Sequence, residues 1–179
     1  DGMPGATVFA VGVEPDGRAR SVSWNEDGSR VRSIRFDGPV TFPVSQIAWH
    51  PDGLRMVLLT GSRTLWEARL DEGAEIVARR LGQTDAMLKS LMFDATGKHL
   101  AATTFEQQVV AWEYGTGATN ETPTAADTAL SVPLIEAGIG DAGRLLPIPE
   151  SDSFVVQRFR GGPLRWTPGT EPVELIDGI

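Results

Sequence analysis

QIAWHPDGLRMVLLTGSRTLWEARLDEG, from Gln46 to Gly73, contains one complete repeat unit of this chain. A short apolar strand ends in the turn PDG, and a second apolar strand follows. A third strand carries Trp66 near its centre, and a turn with glycine closes the unit. The unit returns as SLMFDATGKHLAATTFEQQVVAWEYGTG, from Ser90 to Gly117. A repeat of this length that is built only of strands predicts a β-propeller.

The composition suits a turn-rich β protein. The chain has 179 residues, 41% of them hydrophobic, with 20 Gly and 12 Pro. Its net charge of −8 argues against nucleic acid and anionic membranes as partners, because both require a basic surface. No stretch approaches the ~20 apolar residues of a membrane span, so we expect no membrane insertion of this segment. The absence of Cys leaves the compartment open, and we favour the cytoplasm over an anchored extracytoplasmic propeller.

Four consecutive units can be laid along the chain, each with about four short strands separated by turns of Asp, Gly, Asn and Ser. Both ends of the sequence fall at the same point of the repeat, which favours an integral number of blades from a longer array. The predicted fold class is all-β, a β-propeller of about four consecutive four-stranded blades within a larger propeller. We expect a single propeller domain over residues 1–179, with blades at approximately 6–43, 44–82, 88–137 and 143–177.

Aromatic residues recur at blade spacing. Trp66 and Trp112 lie 46 residues apart in the third strands of their units, and Trp166 follows 54 residues later. Trp49 and Phe93 occupy matching places at the ends of first strands. Both faces of a propeller strand are buried by neighbouring blades, so we expect all five side chains to pack between blades rather than to contact a ligand.

Two segments resemble blades of bacterial WD40-like β-propellers: AWHPDGLRMVLLTGSRTLWEARLDEG (48–73) and SFVVQRFRGGPLRWTPGTEPVELIDG (153–178). The resemblance covers most of the chain as a pattern and implies a non-catalytic interaction, sensing or scaffold module within a larger bacterial protein. The Gly-His and Trp-Asp signatures of the family are missing, and Trp-Glu or Trp-Thr replaces Trp-Asp. The family's hydrogen-bond network of Asp, His, Ser and Trp is therefore not transferred to any residue here. TolB-like, YVTN-like and actinobacterial lipoprotein-associated propellers remain alternatives, and so does a β-sandwich.

A binding surface is expected in the turns, because the strands form the core. The candidate interaction rim consists of Asp16, His50, Asp52, Asp94, Arg158, Arg160 and Arg165. The first four follow first strands in successive units and should share one edge of the propeller, where their acidity favours a basic or polar partner. His50 and His99 stand beside turns, and we expect both to be solvated rather than paired with Asp52 or Asp94.

No pattern of catalytic, cofactor-binding or metal-binding residues is evident. Two His without Cys give no zinc spacing, and no G-x-S-x-G or G-x-G-x-x-G motif occurs in its required context. We therefore predict no enzyme activity, no cofactor and no metal. The expected partner is a protein or another domain of the same polypeptide. The alternative is a propeller enzyme or small-ligand binder that uses the central channel.

Limited proteolysis should cut first within Gly115–Thr128, because this insertion is long, polar and without apolar anchors. The strands RMVLLT (55–60) and HLAATT (99–104) should resist cleavage. Mass spectrometry of the earliest fragments measures the order of cutting. A first cut within either strand would contradict the alignment of the units.

Overall fold

A computed structural model describes residues 8–13, 19–24, 30–40, 42–69, 75–114 and 134–175. Asp16 and the insertion Gly115–Thr128 lie outside the described residues. The regular elements within the described ranges are all β-strands, as the all-β prediction requires. Accordingly, none of these ranges contains a helix with the length and apolarity needed to cross a membrane.

The strands of the described ranges form four groups. Unit 1 comprises β1 (Val8–Val13), β2 (Ala19–Trp24) and β3 (Arg30–Phe36). Blade 2 comprises β4 (Val44–Trp49), β5 (Arg55–Thr60), β6 (Thr64–Arg69) and β7 (Glu75–Gln83). Blade 3 comprises β8 (Leu88–Phe93), β9 (His99–Thr104), β10 (Val109–Glu113) and β11 (Leu134–Glu136). Blade 4 comprises β12 (Ala142–Pro147), β13 (Phe154–Arg158), β14 (Leu164–Trp166) and β15 (Val173–Glu174).

Blades 2, 3 and 4 are antiparallel meanders in which neighbours along the chain are also neighbours in the sheet. The first strands of consecutive blades, β4, β8 and β12, contact one another, so they are the inner strands around which the blades are arranged. This is the arrangement of consecutive four-stranded blades in a propeller. The exact blade boundaries stay a prediction.

Unit 1 differs from the other three units. Its three strands form an antiparallel sheet, and β3 then pairs in parallel with β7, the outermost strand of blade 2. A fourth strand was predicted at 39–43, but the described residues of this segment are not in a strand. Pro39 and Pro43 have no backbone N–H to donate to a sheet, which explains why the segment forms no ladder.

The inner strands of the three blades share a β-bulge at the same place. The register shifts between Val44 and Gln46 in β4, between Leu88 and Ser90 in β8, and between Ala142 and Arg144 in β12. A bulge bends its strand and increases the local twist. Because the distortion recurs, the inner strands have matching shapes, and consecutive sheets can pack face to face.

Buried apolar residues form clusters between the sheets. The cluster between blades 2 and 3 includes Val57, Leu59, Leu65, Leu100 and Trp112. The cluster between blades 3 and 4 includes Ala101, Ala111, Leu145, Phe154 and Trp166. A third cluster joins unit 1 to blade 2 and includes Ile34, Phe36, Met56, Leu58 and Trp66. Each fully buried aliphatic or aromatic side chain contributes about 1.5–3 kcal/mol by leaving water, so these clusters supply the main stabilisation of the stack.

The third-strand tryptophans occupy the predicted positions between blades. Trp66, Trp112 and Trp166 are only 2%, 3% and 1% exposed, and each faces the unit that precedes it. Phe93 is buried as well, but the same expectation is wrong for Trp49, which is 40% exposed. Phe93 packs on the ring of His50 in blade 2, whereas unit 1 pairs with blade 2 through the outermost strand, β7, and leaves Trp49 partly open.

The indole N–H groups of two of these tryptophans differ in their hydrogen bonding. Trp66 Nε1 donates to Thr60 Oγ1 at 3.0 Å, within blade 2. Trp166 Nε1 is buried and has no acceptor among the described residues. Thr60 lies two residues beyond Leu58, which is opposite Trp66. The residue two beyond Phe154, which is opposite Trp166, is Val156, and its side chain has no acceptor.

Replacing Trp66 by Phe should lower the free energy of unfolding by about 1 kcal/mol more than replacing Trp166 by Phe. The two substitutions remove a similar volume, but only Trp66→Phe breaks a hydrogen bond and leaves the Thr60 hydroxyl unpaired. Urea denaturation of both variants measures the difference. Equal losses would show that the Trp66–Thr60 bond contributes nothing to stability.

Candidate functional site

The antiparallel order of the blades separates their turns into two opposite faces. The lower face carries the turns that follow the inner strands, at 50–54, 94–98 and 148–153. The upper face carries the turns at 61–63, 105–108 and 159–163 and the segments 84–87 and 137–141, which lead into the next blade. Upper-face hydrogen bonds join successive blades: Leu88 N donates to Ser62 O at 2.7 Å, and Ala142 N to Gln107 O at 2.9 Å. The turns are therefore held on a rigid frame.

On the lower face, His50 connects two blades. Its ring is 8% exposed, so the expectation of a solvated side chain is wrong. Nε2 lies 3.2 Å from the carbonyl oxygen of Gly97 in blade 3, and Nδ1 lies 3.2 Å from the backbone N–H of Asp52. A carbonyl can only accept, so a hydrogen bond to Gly97 requires the ring proton on Nε2. Asp52 Oδ1 lies 3.0 Å from Nδ1, and Arg55 Nη2 lies 3.0 Å from Nε2.

Asp52 is the most exposed member of this lower-face group, yet its carboxylate is already used within the turn. Arg55 Nε donates to Oδ2 at 2.7 Å, and the backbone amides of Leu54 and Arg55 donate to Oδ1. Partial burial alone would raise the pKa of Asp52, but the donors of Leu54 and Arg55 outweigh it and hold the pKa well below its usual range. This lowered pKa stabilises the fold above the unfolded-state pKa, and the contribution is lost as pH falls towards the folded-state value.

Tyr114, at the end of the third strand of blade 3, makes further contacts with blade 2. Its hydroxyl donates to Glu67 of blade 2, and the guanidinium carbon of Arg55 lies 5.3 Å from the centroid of its ring. Burial raises the pKa of the Tyr114 phenol far above its usual range, and the carboxylate of Glu67 adds to that effect. The rings of His50, Phe93 and Tyr114 pack together with centroids 4.8–5.6 Å apart. We call this group the inter-blade clasp: His50, Asp52, Arg55, Glu67, Phe93, Gly97 and Tyr114.

Asp94 was predicted on the exposed rim, but it is 1% exposed. Its Oδ1 accepts hydrogen bonds from the amides of Thr96 and Lys98 and from the Thr96 hydroxyl. Its Oδ2 accepts from the amide of His99 at 2.8 Å and lies 2.8 Å from His99 Nδ1. The expectation of a solvated His99 is therefore also wrong. Asp94 organises its own turn and offers no carboxylate to a partner.

The three arginines of the candidate rim do not join the acidic residues. Arg158 and Arg160 belong to the upper-face end of β13 and the turn that follows. Arg158 Nε donates to Gly162 O at 2.8 Å, and its Nη2 pairs with Glu174 at 3.0 Å. Arg165 lies within β14, on the sheet surface of blade 4. The described members of the predicted rim are thus divided among the lower face, the upper face and a sheet surface.

The upper face carries a feature that the sequence reasoning missed. Among the described residues, its exposed large apolar side chains include Phe42 (59%), Met87 (39%), Phe105 (56%) and Phe159 (61%). The amide of Phe105 donates to the carbonyl of Met87 at 2.9 Å, so these two lie side by side. Lys89 Nζ lies 5.5 Å from the ring centroid of Phe159. The available signal was a single phenylalanine inside a polar turn, as in TFEQQ (104–108) and RFRGG (158–162).

A cleft of about 360 Å³ opens near the upper face at the outer part of blade 3. Its walls include Thr104, Glu106, Gln108, Val110, Leu134 and Glu136. These residues belong to β9, β10, β11 and the adjoining turn, and the inner strands do not contribute to it. The described residues contain no group of three or more His, Asp or Glu side chains that is arranged to hold a metal ion.

No family model and no curated protein matches the sequence. Among solved structures, the chain is similar to the β-propeller domain of Cps50 (Swd1) from Myceliophteria thermophila, with a TM-score of 0.53 and 16% sequence identity. The match covers 83% of this chain and 47% of that one, so this chain spans about half the length of the propeller it matches. At this identity the likeness speaks for the fold alone. Together with the stacked four-stranded sheets, it shows that the chain has a β-propeller fold, as the sequence predicted.

Gly97 and Gly53 provide a matched pair for testing the clasp. Both have positive φ, +75° and +71°, in equivalent turns. A Cβ at Gly97 would lie 2.1 Å from His50 Nε2, whereas a Cβ at Gly53 would meet nothing within 4 Å. Gly53→Ala should therefore lower the free energy of unfolding by about 1–2 kcal/mol, the cost of a side chain on left-handed backbone. Gly97→Ala should lower it by about 2 kcal/mol more, because of the clash with His50.

Thermal and urea denaturation of both variants measures the two costs. In a His50→Ala background the clash is absent, so Gly97→Ala should there cost no more than Gly53→Ala does. If Gly97→Ala lowers the free energy of unfolding no more than Gly53→Ala does in a chain that keeps His50, the close approach of His50 does not constrain this turn.

Proposed function

We propose that this chain is a non-catalytic protein-interaction module whose upper face binds a partner protein or another domain of its own polypeptide. One observation carries the proposal, namely the exposure of large apolar side chains from separate turns on that face: Phe42, Met87, Phe105 and Phe159. Exposing such side chains to water is unfavourable, and clustered exposure marks surfaces that other molecules cover. Phenylalanine and methionine are also enriched at protein–protein interfaces relative to the rest of the surface.

The backbone around these side chains supports the same function. Phe105 N is bonded to Met87 O, and Phe159 N donates to Asp141 O at 2.9 Å. Turns that are fixed in this way lose little conformational entropy on binding, which favours affinity. Charged residues of both signs surround the apolar ones: Arg63, Asp85, Lys89, Glu106 and Arg160. An apolar centre with a mixed polar border is the usual composition of an interface, so we expect a partner with an apolar patch rather than a strongly charged ligand.

The lower face is a weaker candidate for the same role. The polar groups of His50 and Asp94 are satisfied within the protein, and both side chains are buried. Asp52 is partly exposed, but its carboxylate already accepts hydrogen bonds from Arg55 and Leu54. We therefore assign the lower-face residues to the clasp and the upper face to partner binding.

Replacing Phe105 or Phe159 by Ser should weaken partner binding by about 1–2 kcal/mol or more each, because aromatic anchors carry much of the energy of an interface. Both side chains are exposed at 56% and 61%, so the free energy of unfolding should change by less than about 0.5 kcal/mol. Photo-crosslinking amino acids placed at 105 and 159 in cells identify the partner, and titration of the purified partner gives the affinities.

Leu54→Ser is the matched control, because Leu54 is 47% exposed on the lower face. A crosslinker at position 54 should give no adduct with the same partner, and Leu54→Ser should leave the affinity unchanged. Adducts from position 54 alone would move the binding surface to the lower face. Unchanged affinity in both phenylalanine variants would refute the proposed function.

A further inference from the structure

Blades 2 and 3 each bury one sheet surface beneath the blade that follows. Its fully buried central residues include Val57, Leu59 and Leu65 in blade 2 and Ala101, Thr103 and Ala111 in blade 3. All six are 0% exposed. The propeller therefore covers this surface with another four-stranded sheet. Glu67, a charged residue on this surface of blade 2, accepts a hydrogen bond from Tyr114 of the covering blade.

The same surface of blade 4 has a different character. Cross-strand pairing places six residues on it: Arg144, Leu146, Val155, Gln157, Arg165 and Val173. We call these residues the outer surface of blade 4. Gln157 occupies the place of Leu59 and Thr103, and Arg165 that of Glu67 and Ala111. Leu146 and Val173 are 46% and 62% exposed, so apolar groups and two cations share one open sheet surface.

The two cations have no acidic partner within the described ranges. Neither Arg144 nor Arg165 forms a salt bridge with any carboxylate of the described residues. Arg165 Nη2 donates to Ser153 Oγ, at 3.4 Å. Two cations without a carboxylate from the described residues thus share one partly apolar surface, in a chain with a net charge of −8. If an apolar sheet covered this surface, both guanidinium groups would lose water without compensation, which is costly.

We propose that the outer surface of blade 4 binds a further propeller blade that presents carboxylates to Arg144 and Arg165. The further blade would pack on blade 4 as blades 3 and 4 pack on the blades before them. The two arginines would favour a sheet that carries carboxylates over an uncharged one. A second copy of the same surface is rejected, because face-to-face pairing would bring arginines against arginines. Gln157 and the two arginines thus disfavour association of two copies through this surface, and the arginines still allow a sheet with carboxylates to bind.

A charge-reversed copy of the chain itself serves as the acidic sheet in a direct test. The variant Arg144→Glu/Arg165→Glu keeps Leu146, Val155 and Val173, and both substitutions are at exposed positions. Mixed with unmodified protein, it should form a heterodimer in sedimentation velocity, with association at least about tenfold tighter than either protein shows alone. Raising the salt from about 0.1 M to about 1 M should weaken it, because the ion pairs are screened.

The control is Arg80→Glu/Lys98→Glu, which makes the same change of charge at exposed positions elsewhere on blades 2 and 3. It should not associate with the unmodified protein. If the control associates as tightly as the Arg144→Glu/Arg165→Glu variant, the attraction is a general effect of charge and the proposal is overturned. The absence of a heterodimer would also overturn it, and so would self-association of the unmodified protein through this surface. If the double variant loses its β circular-dichroism spectrum, Arg165→Glu alone takes its place, with a weaker heterodimer expected and its absence again decisive.

Discussion

Face-to-face packing of consecutive four-stranded sheets is the interaction on which the rest of this protein depends. A single four-stranded sheet cannot bury both of its apolar surfaces, so Val57, Leu59 and Leu65 are removed from water only when blade 3 lies against blade 2. The recurring bulge in the inner strands gives successive sheets the same twist and makes this packing repeatable. Trp112 and Trp166 then fill the same position between sheets in successive blades. The stack is thus a chain of nearest-neighbour contacts.

Polar contacts at the two faces complement this packing. On the lower face, His50 reaches the backbone of Gly97, and the Tyr114 hydroxyl reaches Glu67, so hydrogen bonds cross the same boundary that the apolar cluster fills. On the upper face, the backbone amides that begin β8 and β12 donate to turn carbonyls of the preceding blade. Because the lower-face side chains serve the boundary between blades, the upper-face turns are the freer of the two to contact a partner. Rigid turns with exposed phenylalanines are the physical basis of the proposed interaction.

Regular features were predictable from the sequence because they arise from local patterns. Strand positions in blades 2 to 4 followed from apolar runs between turn residues, and the burial of Trp66, Trp112 and Trp166 followed from their spacing along the chain. Unit 1 was less predictable, because the parallel pairing of β3 with β7 joins segments about 40 residues apart and no local pattern encodes it. The prediction of a candidate rim was partly wrong for a similar reason. The burial of His50 depends on Gly97, which a different blade supplies.

The sequence by itself determined an all-β repeat with turns at fixed places, because strand alternation, turn chemistry and repeat spacing are properties of short segments. Only the tertiary structure decided which turn residues are exposed. Asp94 and Asp52 look alike in the sequence, yet one is buried within its turn and the other is partly open. Likewise, Arg165 and Ala111 occupy equivalent positions, but Ala111 is buried beneath the next blade and Arg165 remains exposed on an outer sheet surface. Exposure depends on what packs across a sheet, and that neighbour lies far away along the chain.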